Sequence, residues 1–253
     1  LATIDPNANF GESATGVNFG YAFDGCSALT ALPAGLDMSS GDAFGKVFNN
    51  CTSLETIGSG VLLGGITGTV SFYRAFYNCS ALETIGNGLD MSLGRSFLQA
   101  FRGCTSLETI GNGVLLGTAT SSVDFTSAFL GCTNLVTLPA NLNLSKGDDF
   151  DSAFFNCSSL VTFPAGAFDT MGTPQTKCFF NTWLGCSSLS GASVDNILDS
   201  IDASPIVSAP AITTNEADIT IDYDDIGTAA PAYTTLASLK GKGWVVIVNG
   251  TTL

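Results

Sequence analysis

The chain repeats one pattern of apolar and polar positions seven times. In each copy two aromatic residues stand four positions apart, a cysteine follows three residues later, and a Leu comes three positions after the cysteine; in the first six copies a further apolar residue comes six positions after it. The fourth copy has Phe97, Phe101, Cys104, Leu107 and Ile110. Self-similarity at a fixed period of about 20 to 50 residues predicts a solenoid, because each unit buries its apolar face only by stacking on its neighbours.

The spacing of the copies shows a second level of repetition. Successive marking cysteines are 25, 28, 25, 28, 25 and 29 residues apart. Segments 51–64 and 104–117 have almost the same sequence, so the unit is a duplicated block of two turns. The longer turns carry extra Gly, Thr and Ser at 64–69 and 118–122, which predicts loops on one edge, where repeat proteins often bind. The marking cysteines are Cys26, Cys51, Cys79, Cys104, Cys132, Cys157 and Cys186.

Each copy also predicts its own local structure. The aromatic pair, such as Phe97 and Phe101, has the spacing of one face of a single helical turn. A Gly or Asn precedes each marking cysteine, and both residue types tolerate left-handed backbone. The apolar residues after the cysteine predict a short extended segment, a Pro or Gly turn and a second extended segment.

The eight cysteines predict free thiols rather than disulfides. Stacked turns would place the seven marking cysteines in one inward column with parallel Cβ vectors, which is poor geometry for a bridge. A buried thiol packs as a small hydrophobe and donates weakly to a carbonyl. The absence of histidine and of any CxxC pair argues against a zinc site. Cys178 lies outside the column and is the one cysteine for which an exposed, reactive thiol competes with a buried structural role.

Composition and charge narrow the function classes. Charged residues make up 12% of the chain, about half the usual ~25%, so the surface is rich in Ser, Thr, Asn and Gly, as suits an extracellular or particle-bound protein. The net charge of −14 argues against nucleic acid and against anionic membranes as partners. No apolar run approaches the ~20 residues that span a bilayer. The chain begins with Leu1, which suggests a mature or clipped piece.

The F-x-x-A-F-x-x-C-x-x-L-x-x-I pattern over about residues 17–190 resembles the BspA-type leucine-rich repeats of bacterial surface proteins, which also occur in bacteriophage tail and surface proteins. The resemblance implies a right-handed α/β leucine-rich-repeat solenoid of about seven turns, an extracellular or virion location and no catalysis. It also implies three regions: an N-terminal cap or remnant of an earlier repeat (1–16), the solenoid (17–190) and a small α/β C-terminal capping region (191–253).

The tail departs from the repeat, as a capping region should. Segment 194–203 predicts a helix, 217–223 a strand, 234–244 a second helix that Gly241 and Gly243 would end, and 245–250 a final strand.

Three groups of residues are candidate sites. Glu55, Glu83 and Glu108 share one position in consecutive turns and predict a column of like charges, which a divalent cation or a basic partner would relieve, although a solvated face explains it as well. Polar aromatics and cations on neighbouring turns predict a recognition surface, with surface decoration as the plain alternative; they are Tyr73, Arg74, Tyr77, Arg95 and Arg102. Asp222, Asp224 and Asp225 are weak candidates for Ca²⁺, because they lack the Gly and distal Glu of an EF-hand loop.

We expect a non-enzymatic recognition or adhesion module on a bacterial cell or virion surface that binds a protein or glycan of a host cell. The alternative is a structural virion component, a fibre or decoration subunit that assembles with neighbouring subunits through the solenoid flanks. Enzyme hypotheses are weak because the chain lacks histidine, a G-x-S-x-G motif and a P-loop. A carboxylate pair for glycoside hydrolysis is the one catalytic arrangement left open.

Overall fold

The chain winds into a parallel β-solenoid of about eight turns with little helix, so the predicted repeat solenoid is confirmed. The computed structural model describes residues 1–6, 8, 10, 16–64, 70–118, 122–172, 178–205, 218–222 and 230–253. Residues 65–69 and 119–121, most of the two predicted edge loops, lie outside this set. We number turns 1 to 7 by their cysteines, from Cys26 to Cys186. The strands are β1 (Val17–Asn18), β2 (Ala31–Leu32), β3 (Asp37–Met38), β4 (Gly41–Ala43), β5 (Thr56–Ile57), β6 (Leu62–Leu63), β7 (Val70–Ser71), β8 (Thr84–Ile85), β9 (Asp90–Met91), β10 (Gly94–Ser96), β11 (Thr109–Ile110), β12 (Leu115–Leu116), β13 (Val123–Asp124), β14 (Gly147–Asp149), β15 (Asp218–Ile221), β16 (Val245–Val248) and β17 (Thr251–Thr252), and the helices are α1 (Gly191–Ala203) and α2 (Leu236–Gly241).

Short strands from successive turns pair in parallel and form three sheets that run along the solenoid. Their orders are β2-β5-β8-β11, β3-β6-β9-β12 and β7-β10-β13-β14. We call the side of the solenoid that carries the last of these sheets the third side, and β1 pairs with β4 at its start. Residues at equal positions in the repeat are partners; Ile57, for example, lies between Leu32 and Ile85. This register places each repeated side chain directly above its counterpart, so the sequence pattern becomes columns.

Two stacks of aromatic rings fill the core. The first runs from Phe19 to Phe179, and neighbouring ring centroids are 5.1 to 5.6 Å apart. The second runs from Phe23 to Phe154 with separations of 5.1 to 5.3 Å and ring planes within 17° of parallel. Such rings gain attraction beyond the apolar area they bury. The stacking therefore stabilises every inner turn in the same way.

The predicted helical turn between the two aromatics is wrong. The residue two positions after the first Phe has left-handed backbone in every turn; φ is 53° at Arg74 and 60° at Gln99. Short-range bonds of the turn type, such as Ala100 N–H to the Phe97 carbonyl at 2.8 Å, alternate with bonds to the next turn, such as Phe101 N–H to the Ala128 carbonyl at 2.8 Å. Neighbouring turns thus take up backbone groups that a helix would pair internally, and the repeats are not α/β. The predicted left-handed residue before each cysteine is confirmed, at Asn78 and Gly103 among others.

Gly94, the first residue of β10, leaves room for the rings of the first aromatic stack. A Cβ atom on Gly94 would lie 2.4 Å from Cζ of Phe97 and 2.8 Å from Cδ2 of Phe72. Gly41 and Gly147 occupy the same position one 53-residue block away on either side and would meet the rings of their own turns equally closely. The third side therefore requires a residue without a side chain in every second turn.

The tail adds a layer beyond the seven repeat copies. Strand β15 lies against turn 7, where Trp183 N–H donates to the Thr220 carbonyl at 3.2 Å and Asp222 N–H donates to the Trp183 carbonyl at 3.2 Å. It pairs in parallel with β16, which pairs in antiparallel fashion with β17. The solenoid has about eight turns where about seven were expected, and the predicted helices and strands of the tail are present.

Helix α1 covers the last turns on another side. Ser190 caps its N-terminus by accepting a bond from Ser193 N–H. Ser193 Oγ also accepts from Phe163 N–H at 3.0 Å, and Ser200 Oγ accepts from Phe168 N–H at 2.8 Å. These side chains take the place of the strand that a further turn would supply, so the backbone donors at this edge are satisfied.

Candidate functional site

Two outward faces of the solenoid carry the candidate residues, and each face is built from columns. The turn face contains the residues one, two and five positions after the first Phe of each turn. The strand face contains the residue that follows the Leu three positions after each marking cysteine. Backbone hydrogen bonds between turns hold both faces in register. The main columns of the turn face are Tyr21, Lys46, Arg74, Gln99, Ser127, Ser152 and Asn181, and Asp24, Asn49, Tyr77, Arg102, Leu130, Phe155 and Leu184; the strand-face column is Thr30, Glu55, Glu83, Glu108, Val136, Val161 and Ser190.

Arg74 is the centre of a cation–aromatic cluster on the turn face. Its guanidinium carbon lies 5.1 Å from the ring centroid of Tyr73 and 4.8 Å from that of Tyr77. Its Nε donates to Oε1 of Gln99 in the next turn at 2.7 Å. A guanidinium that is stacked and hydrogen-bonded in this way loses little further freedom when it binds. The sequence-predicted Tyr73, Arg74 and Tyr77 are therefore brought together, half-exposed and pre-oriented.

The other cations of this region extend the cluster along the solenoid. Lys46 lies over the ring of Tyr21 at 5.0 Å, one turn before Arg74. Arg102 is half-exposed and follows Tyr77 in the same column. Arg95 is exposed but lies in β10, on the neighbouring side of the solenoid.

These cations have no acidic partner among the residues that the structure describes. In that part of the chain the one ion pair joins Lys242 to Asp202 at 2.9 Å, in the tail. Lys46, Arg74 and Arg102 thus have no carboxylate partner in the described ranges, although acids outnumber bases by 22 to 8 in the whole chain. These three cations form a positive patch on the turn face of turns 2–4 of an acidic protein.

The strand face carries the predicted glutamate column. Glu83 N–H donates to the Glu55 carbonyl at 2.8 Å, and Glu108 N–H donates to the Glu83 carbonyl at 3.0 Å. All three side chains are exposed. The same column continues with Val136 and Val161, which are 41% and 37% exposed. The strand face is therefore acidic in turns 2–4 and apolar in turns 5 and 6.

One of the three weak calcium candidates, Asp222, lies among the residues that the structure describes. Oδ2 of Asp222 accepts from Gly185 N–H at 2.8 Å, which ties the tail to turn 7. Asp224 and Asp225 lie outside the described residues. Across the described ranges, no group of three His, Cys, Asp or Glu residues is arranged to hold a metal ion.

The cysteines line the core rather than the surface. From Cys51 to Cys186, each marking thiol donates to the carbonyl of the second aromatic residue in the preceding turn, at 3.1 to 3.3 Å. All eight cysteines are free, and only Cys26 is partly exposed. Burial raises the pKa of the Cys104 thiol to about 12 and that of Cys178 well above its usual value. Cys178 is fully buried, so the exposed alternative for it is wrong.

Acidic side chains at 148–151 form a feature that the sequence analysis did not single out, although the run Asp-Asp-Phe-Asp was a visible signal. Burial, with a smaller contribution from Asp124, Asp151 and Asp148, raises the pKa of Asp149 to about 6. Asp148 contacts the hydroxyl of Ser122 in the previous turn. An open cavity of about 270 Å³ lies beside it. This polar cleft lies on the third side, away from both faces.

No helix in the described ranges is long and apolar enough to cross a membrane. Comparison with protein families, with curated proteins and with solved structures finds no match to this chain.

Proposed function

We propose that this protein is a non-enzymatic recognition or adhesion module, displayed on a bacterial cell or virion surface, that binds a negatively charged protein or glycan through its turn face. The observation that carries this proposal is the positive patch of Lys46, Arg74 and Arg102, which has no carboxylate partner within the described part of a chain of net charge −14. Stacked Tyr and Arg side chains are typical of binding surfaces.

The rigidity of the surface supports the same function. The patch lies on backbone that is hydrogen-bonded to the turns on both sides, for example from Arg74 N–H to the Leu98 carbonyl at 3.0 Å. Such a surface binds without reorganising and therefore keeps more of its interaction free energy. Solenoids present extended surfaces of this kind to protein partners.

The proposal includes the finer assignment of the fold. The order of aromatic, cysteine and aliphatic columns supports a BspA-type leucine-rich repeat, although the turn between the aromatics is not helical. Residues 191–253 act as the C-terminal capping region, because Ser193 and Ser200 of α1 satisfy donors of the last turns. A repeat array needs such an end to remain soluble.

A structural role in a virion is the second candidate. It is favoured by the strand face, where exposed Val136 and Val161 continue the glutamate column and offer an apolar contact to a neighbouring subunit. This role predicts ordered contacts along the solenoid flanks, whereas the recognition function predicts that ligand binding depends on the cations of the turn face.

Binding of the full chain tests the recognition function. The immobilised protein is presented with acidic and neutral glycans and with acidic and basic proteins, and the variant Arg74→Glu/Arg102→Glu is compared with the wild type. The control Arg95→Glu/Lys240→Glu makes the same change of net charge away from the turn face, since Arg95 is exposed on the neighbouring side and Lys240 is exposed in the tail. We expect the acidic ligands to bind the wild type and the control at least about tenfold more tightly than the turn-face variant.

Equal affinity of all three proteins for the ligands would contradict the proposed binding surface. The absence of binding to every acidic ligand would contradict the function. Immunogold labelling of the producing cells and particles then locates the protein, and label confined to the cell interior would exclude the proposed surface location.

A further inference from the structure

The two faces match each other turn by turn. Turns 2, 3 and 4 each carry a cation on the turn face and a glutamate on the strand face, and turns 5 and 6 each carry a large apolar residue on the turn face and a valine on the strand face. Turn 1 is polar on both. The matched positions, in order, are Lys46 with Glu55, Arg74 with Glu83, Arg102 with Glu108, Leu130 with Val136, and Phe155 with Val161.

Comparison of the duplicated blocks shows that both faces change together. One block of 53 residues separates Tyr77 from Leu130 and Arg102 from Phe155 on the turn face. The same interval separates Glu83 from Val136, and Glu108 from Val161, on the strand face. One column of the turn face and the strand-face column therefore become apolar at the same step, between turns 4 and 5, while the Phe, Cys and Leu columns of the core do not change.

We propose that the turn face of one copy of this chain binds the strand face of a second copy, with the two solenoid axes parallel and equal turns opposite each other. The pitch of the two columns is the same because every turn is hydrogen-bonded to the next. In this register the three cations meet the three glutamates, and Leu130 and Phe155 meet Val136 and Val161. The exposed valines then lie against apolar side chains instead of water.

Other arrangements of two copies fit less well. Two turn faces in contact would oppose Arg74 to a second set of cations, and two strand faces would oppose Glu83 to other glutamates. An antiparallel pair of unlike faces, with turn 4 opposite turn 4, would place the charged side chains of turns 2 and 3 against the apolar part of the partner. A contact between unlike faces is heterologous, so it continues from copy to copy as a ring or an open row.

The inference deepens the proposed function and rests on it, since it names one negatively charged partner of the same turn face. It makes adhesion homophilic: a copy on one surface binds a copy on another, or copies line up side by side on one particle. An acidic ligand of another kind would compete with the second copy for Arg74 and Arg102.

Sedimentation of charge-reversed variants tests the contact. One variant carries Lys46→Glu, Arg74→Glu and Arg102→Glu, and the other carries Glu55→Lys, Glu83→Lys and Glu108→Lys. We expect the wild-type chain to form species larger than a dimer at ~0.1 mM protein and low salt, and to dissociate as the salt concentration rises. Each variant alone is expected to be monomeric, and an equimolar mixture of the two is expected to associate, because each then offers the opposite charge to the other.

Two single substitutions provide a matched control. Arg102→Glu is expected to weaken self-association at least about tenfold, whereas Arg95→Glu, which makes the same change of net charge on the neighbouring side, leaves it unchanged. Circular dichroism spectra and melting curves check that every variant is folded.

A wild-type chain and a variant mixture that both remain monomeric would overturn the proposal. Association that survives both triple reversals would overturn it too, because the contact would lie elsewhere. If the chain stays monomeric yet binds acidic ligands through Arg74 and Arg102, the proposed function stands and only the homophilic partner is wrong.

Discussion

Turns 2–4 and turns 5–7 have nearly the same interior and different exteriors. Phe101 in turn 4 and Phe129 in turn 5 are buried in one stack with a centroid separation of 5.2 Å, and the cysteine beside each is buried as well. On the outside, Arg102 gives way to Leu130 at the next turn, and Glu108 gives way to Val136. The interior is constrained by stacking and tolerates few residue types, whereas the exterior is free to vary. Differences between turns on the outside are therefore where function is to be sought.

The largest expected effect concerns the shared interior. Phe101→Ala removes a ring from the middle of the second stack and leaves a cavity, so we expect the free energy of unfolding to fall by ~3–5 kcal/mol. Phe129→Ala should cost about the same, because its surroundings are equivalent. Phe155→Ala, on the half-exposed exterior, should cost less than about 1.5 kcal/mol. Chemical denaturation of the three variants measures the comparison, and a Phe101→Ala chain as stable as the wild type would contradict the stacked core.

A smaller effect is expected at the glycine of the third side. Gly94→Ala places a methyl group 2.4 Å from the Phe97 ring, so the rings must shift, at a cost of ~1–3 kcal/mol. Gly172→Ala is the control, because no atom lies within 4 Å of its added Cβ. Thermal melts of the two variants should differ clearly. Equal melting temperatures would show that the first stack is not closely packed against β10.

The acidic group of turn 6 gives a pH-dependent effect. The pKa of Asp149 is raised to about 6 by burial, above the unfolded value near 3.9, so its contribution to stability is complete below pH ~4 and is lost as the pH rises through ~6. Asp149→Asn keeps the oxygen that accepts from Asp151 N–H at 2.9 Å and removes the charge. We expect the variant to melt about 1–3 °C above the wild type at pH 7 and no higher at pH 4.

Melting curves at the two pH values check the prediction for Asp149. Asp90→Asn is a matched control, because Asp90 accepts from Ser92 N–H at 2.9 Å in the same kind of turn on another side. A gain in melting temperature for Asp149→Asn that is the same at pH 4 and pH 7 would contradict the assigned titration.

The smallest effect is expected on the exterior. Val136→Glu gives turn 5 the residue that turn 3 has at this position, Glu83, on an exposed strand. We expect the free energy of unfolding to change by no more than ~0.5 kcal/mol. A loss of several kcal/mol in denaturant titration would show that the strand face is part of the core and would end the distinction between inside and outside.

The sequence predicted the interior well because the same side chains recur at the same positions. It predicted the left-handed residue before each cysteine because Gly and Asn are typical there. It missed the left-handed residue between the aromatics, because Arg74, Gln99 and Ser152 are not residue types that signal such backbone. The close approach of Gly94 to Phe97 depends on packing between turns, which no local pattern expresses.

The candidate site was predicted in part. Tyr73, Arg74 and Tyr77 were expected to form one surface with Arg95 and Arg102 because these residues occupy neighbouring turns. The structure stacks Arg74 on both tyrosines and places Arg95 on another side. The separation of cations and glutamates onto two faces required the path of the backbone between Arg74 and Glu83, which the wrong helical turn obscured. The candidate calcium ligand Asp222 instead accepts a backbone bond from turn 7, a contact of 37 residues in sequence separation.

The most direct test of the stacked arrangement is native-state alkylation of the cysteines without a reducing agent, followed by mass mapping. The account predicts that Cys26, the one partly exposed thiol, is modified first. The other seven cysteines, including Cys104 with its raised pKa of about 12, should react only after unfolding. Disulfide-linked peptides, or modification of Cys104 as fast as that of Cys26, would contradict the column of buried free thiols and with it the solenoid register on which both faces depend.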